Sequence, residues 1–173
     1  MNIIVRDAAI EDAVQIARID FESHAVAYRH IFGDTRGANI ESLTTRWRRI
    51  ISRDPELPRR PMEHLLVADT GSDVTGYVAF GASRDVDGIS IGEIGAIYVH
   101  PQKWRTGIGA AMMSAALKQL AIAGFTEATL WVLEENAIGR AFYDREGWSP
   151  DGTIRQRDDG HRELRYRKRL DVQ

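Results

Sequence analysis

The chain has 173 residues, a length that fits one ordinary domain with a sizeable core. It contains no cysteine, which excludes disulfides, thiolate zinc sites and a cysteine nucleophile. A formal net charge of -2 provides no overall basic field to attract nucleic acid. The first residues do not form a secretion signal, and no run approaches about 18 apolar residues. We therefore expect a cytoplasmic protein with no membrane or nucleic-acid partner.

The N-terminal part of the chain combines one short strand with two amphipathic helices. Asn2–Arg6 contains consecutive β-branched residues, which predict a strand. Ile10–Phe21 and Asn39–Ile51 carry apolar residues at helical spacing, which predicts two helices. Ser52–Pro61 contains three prolines, so we expect an irregular loop there.

Three strand-like runs follow this loop, and short turn sequences separate them. The runs are His64–Ala68, Val74–Ala82 and Ile89–Val99. Thr70–Asp73 and Asp87–Gly88 supply the residues that tight turns require. This spacing predicts an antiparallel meander.

Helical and strand patterns then alternate up to the C-terminus. Gly107–Ala123 and Asn136–Glu146 have the pattern of helices, and Thr126–Leu133 is apolar and rich in strand-forming residues. Arg162–Leu170 alternates in polarity and predicts a last strand, with a further short strand near Thr153 left open. A meander followed by βα units predicts an α/β fold with a mixed sheet and helices on both faces. We expect one domain over residues 1–173.

The segment after the third strand of the meander has the features of an anion-binding turn. An apolar strand ends at Val99, and Gly107 and Gly109 open the helix that follows. Free N–H groups at a helix start favour an anion, and glycines allow a pyrophosphate to approach the backbone. Two glycines that simply pack a βα turn tightly are the alternative. The candidate cofactor-binding residues in this segment are Ile97, Tyr98, Val99, Lys103, Trp104, Arg105, Thr106, Gly107, Ile108, Gly109 and Ala110.

Two other kinds of phosphate loop fit this segment less well. A P-loop ends in Gly-Lys-Ser/Thr, whereas Gly109 is followed by two alanines. A dinucleotide fingerprint needs a small residue where Met112 stands, although Glu127 lies near the position of its acidic ribose partner. A dinucleotide enzyme therefore stays a minor alternative.

The order and spacing of two motifs resemble those of the GNAT superfamily of N-acetyltransferases. The family's cofactor signature, Gln/Arg-x-x-Gly-x-Gly/Ala, corresponds to Trp104–Gly109, with a tryptophan in place of the usual first residue. The second motif is Leu130–Leu133, then Asn136, then Ala141–Tyr143 and Gly147–Trp148. The resemblance covers most of the chain in element order and is sharpest from Glu93 to Trp148.

The resemblance implies the reaction as well as the fold. It implies acetyl-coenzyme A as co-substrate and direct transfer of acetyl to a primary amine of a small molecule or peptide. We expect no metal, because the five histidines lack the spacing of a metal site. A non-catalytic module that binds or senses coenzyme A is the alternative function. The identity of the amine and the oligomeric state are left open, with a homodimer as one alternative.

The resemblance also suggests catalytic residues. Tyr143 is the candidate general acid for the departing thiolate, because the aligned tyrosine of the family has that role. Asn136, Arg140 and Tyr143 share one helical face, opposite an apolar stripe at Ile138 and Phe142, and we expect Asn136 and Arg140 to contact the cofactor. Asn136 also suits a helix N-cap.

Glu93 is the candidate general base, because histone-modifying members of the family carry a glutamate at a similar distance before the glycine turn. Strand alternation predicts that Glu93 shares a sheet face with Gly95, Ile97 and Val99. A solvated strand residue is the alternative for Glu93, and water chains deprotonate the amine in many members of the family. His24 and Tyr28 border the acceptor site of such folds or are ordinary surface residues.

Overall fold

The computed structural model describes residues 3–33, 39–57, 62–88 and 90–171. A seven-stranded sheet forms the centre of the molecule. Its strands are β1 (Ile4–Asp7), β2 (His64–Asp69), β3 (Val74–Ala82), β4 (Ile91–Val99), β5 (Glu127–Leu133), β6 (Ser149–Gln156) and β7 (Arg162–Arg169). The α-helices are α1 (Ala13–Ala27), α2 (Arg29–Phe32), α3 (Ile40–Ile51), α4 (Ile108–Ile122) and α5 (Ala137–Arg145). Single turns of 3-10 helix precede α1 at Ile10–Asp12 and α4 at Pro101–Lys103.

The sheet is mixed, as predicted, with the strand order β1-β2-β3-β4-β5-β7-β6. The first four strands form an antiparallel meander, and α4 connects β4 to the parallel strand β5. The last strand in sequence, β7, lies between β5 and β6 and is antiparallel to both. The short strand left open near Thr153 is real and spans Ser149–Gln156.

Each face of the sheet buries its own apolar cluster, so the prediction of helices on both faces is confirmed. On one face α4 contributes Ile108, Met112 and Leu120 to a core that also contains Phe80 and Trp148. On the other face α1 and α3 pack together over the meander. There the largest side chains are Trp47 and Tyr77, whose ring centroids lie 4.8 Å apart in an edge-on contact.

Local signals in the sequence account for where the helices begin. The Asn39 side chain accepts a hydrogen bond from the Ser42 N–H at 2.8 Å and caps α3. Gly107 caps α4 with φ at +87°, a conformation that glycine adopts without steric cost. Helix α1 continues to Ala27, and its buried side continues through Ser23 and Ala27.

Some predicted boundaries fall on residues outside the described ranges. These are Asn2 in the first strand, Ile89 in the third strand of the meander, and residues 58–61 of the proline-containing loop. In the part of the chain that the structure describes, no helix has the length and apolarity that crossing a bilayer requires.

Candidate active site

The parallel strands β4 and β5 are paired only at their beginnings. Their register runs from Ile91 opposite Glu127 to Ile94 opposite Leu130, and no pairs follow among the described residues. Strand β4 nevertheless continues to Val99 and β5 continues to Leu133. The two strands therefore separate toward their C-terminal ends and leave a gap in the middle of the sheet.

A cavity of about 200 Å³ occupies this gap. Strands β4 and β5 form its walls, α1 and α2 close it on one side, and α5 contributes from the other. Its lining residues are His24, Tyr28, Phe32, Ile94, Gly95, Ala96, Ile97, Tyr98, Trp131, Val132, Leu133, Asn136, Tyr143, Arg157 and Glu163.

A β-bulge at Gly95 changes which face of the sheet the later residues of β4 occupy. The predicted strict alternation along this strand is therefore wrong. The register steps from Ala79–Ala96 directly to Phe80–Ile94, so Gly95 is the extra residue. Beyond the bulge, Ile97 and Val99 pack against the α4 side of the sheet, as Ile94 does before it. Glu93 neighbours Ile94 in the strand and therefore faces the α1 side, opposite Ile97 and Val99.

The Glu93 carboxylate is buried and bonded to Arg84. Glu93 is 3% exposed, and its carboxylate accepts hydrogen bonds from the Arg84 backbone N–H at 2.9 Å and from Nε at 3.2 Å. The Arg84 Nη2 group completes the ion pair. Glu93 is not among the cavity-lining residues. This geometry gives Glu93 a role in anchoring the loop that follows β3, and its role as a general base stays a prediction.

The turn from Val99 to α4 presents unpaired backbone N–H groups. Arg105 has φ at +63° and Gly107 at +87°, which bends the chain sharply before the helix. Across the described residues, the N–H groups from Arg105 to Ala110 find no protein acceptor, whereas the Ala111 N–H bonds to the Gly107 carbonyl. The exposed Arg105 and the half-buried Lys103 add positive charge. The turn therefore fits a phosphate group.

Trp104 and Gly109 have structural contacts within this segment. The Trp104 Nε1–H donates to the Val99 carbonyl at 2.8 Å, so its one donor is used inside the protein. A Cβ atom on Gly109 would lie 3.2 Å from the Phe142 ring, so this glycine lets α4 pack closely on α5. Ile108 is 1% exposed and belongs to the core. The presence of Gly109 is therefore explained by tight packing of the turn, which was the alternative to anion binding. The N–H groups of the turn are still available to bind an anion.

Tyr143 lines the cavity from α5. Its ring lies 5.5 Å from that of Phe142, and both residues pack against the core. In the described ranges, the Tyr143 hydroxyl has no hydrogen-bond partner. Burial, together with the nearby Tyr28, raises the pKa of Tyr143 well above its usual value. The phenol therefore keeps its proton at neutral pH.

Asn136 and Arg140 are bonded to the protein. The Asn136 Oδ1 accepts from the Gly139 N–H at 2.9 Å, which confirms the N-cap, and its Nδ2 lies 3.4 Å from the Tyr28 hydroxyl. Arg140 donates to the Tyr166 hydroxyl at 3.3 Å and to the Glu134 carbonyl at 3.1 Å. Their contacts with a cofactor stay predictions.

The predicted apolar stripe of α5 is only half correct. Phe142 packs against the core as expected, but Ile138 is 49% exposed. The helix has nine residues, and the side chains that pack against the core are Phe142 and Tyr143, so Ile138 lies outside that contact.

One wall of the cavity contains His24 and Tyr28, for which an ordinary surface position was the alternative prediction. The Tyr28 and Tyr98 hydroxyls lie 3.3 Å apart, and the His24 ring stacks on Tyr98 at 5.0 Å between centroids. His24 also forms a 3.1 Å ion pair with the buried Asp20, one helical turn earlier. The spacing of Asp20, His24 and Tyr28 by four residues was the signal that could have indicated this wall.

Comparisons with known proteins agree with the fold. The family model for the acetyltransferase (GNAT) family matches residues 27–148, which is more than half of the chain. The protein is therefore an acyltransferase by class, and it belongs to the GNAT family of acetyltransferases.

Individual relatives are more distant. The chain is 27% identical over 137 residues to the uncharacterized N-acetyltransferase YuaI of Bacillus subtilis, covering 78% of this chain and 73% of that protein. The PaiA N-acetyltransferase of Thermoplasma acidophilum, solved with coenzyme A, has a TM-score of 0.73 at 21% identity over 98% of this chain and 100% of that one. YncA of Salmonella typhimurium, solved with acetyl-CoA, has a TM-score of 0.68 at 20% identity over 99% of this chain and 95% of that one.

Proposed function

We propose that this protein transfers the acetyl group of acetyl-coenzyme A directly to the primary amine of a small molecule or peptide. The observation that carries the proposal is the Tyr143 hydroxyl, which has no hydrogen-bond partner among the described residues and lies in the cavity between the separated strands. The PaiA and YncA structures, which contain coenzyme A and acetyl-CoA, support the choice of donor.

The turn before α4 fits the phosphates of that donor. A main-chain cradle needs several N–H groups that have no acceptor in the protein, and the described segment Arg105–Ala110 offers them. Lys103 and Arg105 strengthen the site by charge. Trp104 bonds the Val99 carbonyl instead, so the departure from the family signature leaves the main-chain contacts intact.

Tyr143 protonates the thiolate in this proposal. When bound, acetyl-coenzyme A supplies the thioester whose acetyl group is transferred. A thiolate that leaves into the cavity is desolvated as Tyr143 is, so burial raises the proton affinity of both groups. The phenol therefore stays matched to the leaving group although its own pKa is raised. Asn136 fixes the start of α5 and so helps to hold Tyr143 in place.

The cavity limits the part of the acceptor that it encloses. About 200 Å³ is below the typical size of a pocket for a whole drug-like molecule, roughly 300–1,000 Å³. It suits the amino end of a longer acceptor, whether a small molecule or a peptide. The single domain over residues 1–173, the cytoplasmic location and the homodimer stay predictions.

An acceptor screen tests the proposal. The protein is incubated with acetyl-coenzyme A and a panel of polyamines, amino acids, aminoglycosides and peptide N-termini, and free thiol is measured alongside product mass. We expect stoichiometric thiol release and a mass gain of about 42 Da on one class of amine, as covalent acetyl transfer requires. Tight binding of coenzyme A with no transfer to any amine would favour the non-catalytic alternative.

A further inference from the structure

One wall of the cavity continues across the strands β5, β7 and β6. Trp131 and Glu163 line the cavity, and in the sheet Trp131 lies opposite Arg165 whereas Glu163 lies opposite Arg155. Glu163 and Arg165 are two residues apart on β7, so their side chains share one face. Their partners across the strands share that face too. Arg155 is not itself a lining residue and therefore lies at the rim, on the edge strand β6.

Two contacts hold the Arg155 guanidinium beside the cavity. Its Nε–H donates to the Glu163 Oε2 atom at 2.6 Å, and its central carbon lies 4.2 Å from the centroid of the Trp131 ring. Both partners line the cavity, and Glu163 is buried. A planar guanidinium that is bonded at Nε and lies over an aromatic ring keeps little rotational freedom. The orientation of its other N–H groups is therefore set before any ligand binds.

Trp131 is itself fixed from the opposite side of the sheet gap. Its indole N–H donates to the Asp85 carboxylate, with distances of 3.1 and 3.2 Å to the two oxygens. Asp85 belongs to the loop that follows β3, and the neighbouring Arg84 ties this loop to the buried Glu93. The ring that supports Arg155 thus has a defined position.

The other arginines of this wall use their N–H groups inside the protein. Arg165 is 6% exposed, and all five of its N–H groups have acceptors. Those acceptors are Asp85, Asp87, Asp151 and Thr153. Arg157 binds the Asp159 carboxylate through Nε and Nη2, and its Nη1 lies 3.5 Å from Glu163.

Arg155 differs because its two terminal nitrogens are not used. Among the described residues, its printed hydrogen bond and ion pair both run from Nε to Glu163, and no protein acceptor bonds Nη1 or Nη2. The side chain is 50% exposed, so these nitrogens are accessible. Two terminal N–H groups in one plane match the two oxygens of a carboxylate and bind it through parallel hydrogen bonds.

We propose that Arg155 binds a carboxylate of the acceptor, and that the acceptor is an amine of the amino acid class. This inference rests on the acetyl transfer proposed above. The cavity of about 200 Å³ encloses the amino end of the acceptor, next to Tyr143. The carboxylate then lies at the rim on Arg155, and Glu163 and Trp131 position the guanidinium for it.

Three matched acceptors test the carboxylate requirement. They are a free amino acid, its amide and the amine left after its decarboxylation, compared for several side chains by steady-state kinetics with acetyl-coenzyme A. We expect the wild type to use the amino acid best. We expect Arg155→Gln to lower kcat/KM for the amino acid about 10- to 100-fold, mostly through the KM of the acceptor, because a hydrogen-bonded charged pair is lost. The amide and the decarboxylated amine should change by less than about threefold, and the KM of acetyl-coenzyme A should not change.

Arg162→Gln is the matched control. Arg162 lies on the paired strand β7, its side chain is 49% exposed, and it pairs with Glu134 at 3.3 Å. It is not among the cavity-lining residues, so its loss should leave the preference among the three acceptors unchanged. Arg155→Lys is a second test, which keeps a positive charge but loses the planar fork. It should lower kcat/KM for the amino acid by at least about threefold, and it decides the question if Arg155→Gln does not fold.

Binding gives a readout that does not depend on turnover. The amino acid is titrated by calorimetry into protein saturated with coenzyme A, which has no acetyl group to transfer. Arg155→Gln should weaken this binding at least about tenfold, whereas Arg162→Gln should not.

Three results would overturn the inference. One is a wild type that uses the amide or the decarboxylated amine as well as the amino acid. Another is Arg155→Gln within about threefold of wild type on the amino acid, in both kinetics and binding. The third is an equal loss on all three acceptors, which indicates that Arg155 only supports the wall. An active wild type with any of these results removes the Arg155 assignment alone, whereas a wild type that acetylates no amine overturns the proposed function and this inference together.

Discussion

Replacing Tyr143 by Phe separates a general acid from a packing tyrosine. The change keeps a ring that lies 5.5 Å from Phe142 and 6.1 Å from Tyr166. The hydroxyl has no partner among the described residues, so its loss should change the free energy of unfolding by less than about 1 kcal/mol. Loss of a general acid should slow the chemical step by about 10²–10⁴-fold, which equals about 3–5.5 kcal/mol of activation free energy.

The assay is single-turnover acetyl transfer with enzyme in excess, with coenzyme A binding measured alongside. Tyr166→Phe is the matched control, because the Tyr166 hydroxyl is buried, lies outside the cavity lining and accepts from Arg140 at 3.3 Å. We expect the control to show the opposite result, a stability loss of about 1–2 kcal/mol with a near-normal rate. A Tyr143→Phe rate within threefold of wild type would refute the acid assignment.

Three further changes test the turn, its tryptophan and an ion pair. Gly107→Ala and Gly124→Ala should each cost about 1–2 kcal/mol of stability, because both sites have positive φ and open space, yet only Gly107→Ala should weaken the thermal shift caused by coenzyme A. Equal shifts would contradict the phosphate assignment. Trp104→Arg removes the hydrogen bond to the Val99 carbonyl and should lower the free energy of unfolding by about 1 kcal/mol, while the affinity for coenzyme A is kept or improved. A tenfold loss of that affinity, measured by titration calorimetry, would contradict this expectation. The hydrogen bond from Arg6 lowers the pKa of Asp12 in the folded protein. The Arg6–Asp12 pair therefore stabilises the fold above the unfolded pKa of about 3.9, and this stabilisation is lost as pH falls through the folded pKa. Urea unfolding of Arg6→Gln should therefore differ most from wild type at neutral pH and converge with it in acid.

The sequence by itself determined most elements and two of the site's components. Helical periodicity placed α3, and periodicity together with the Asn136 cap placed α5, since caps and periodicity are local properties of the chain. The glycines before α4 identified the turn, because its N–H groups belong to consecutive residues. Tyr143 was indicated by its place in a short motif, and its position in the cavity follows directly from that helix.

Only the tertiary structure decided which groups meet across the chain. The bulge at Gly95 arises from pairing with β3, and it moved Glu93 to the face opposite Ile97, which strict alternation could not anticipate. The order β5-β7-β6 depends on pairing between distant strands. Asp20 is held by Trp47, 27 residues away, and His24 stacks on Tyr98 of another element. Such contacts form only when helix and sheet pack, because burial supplies the free energy that orders them, and no local pattern in the sequence encodes which side chains will then be neighbours.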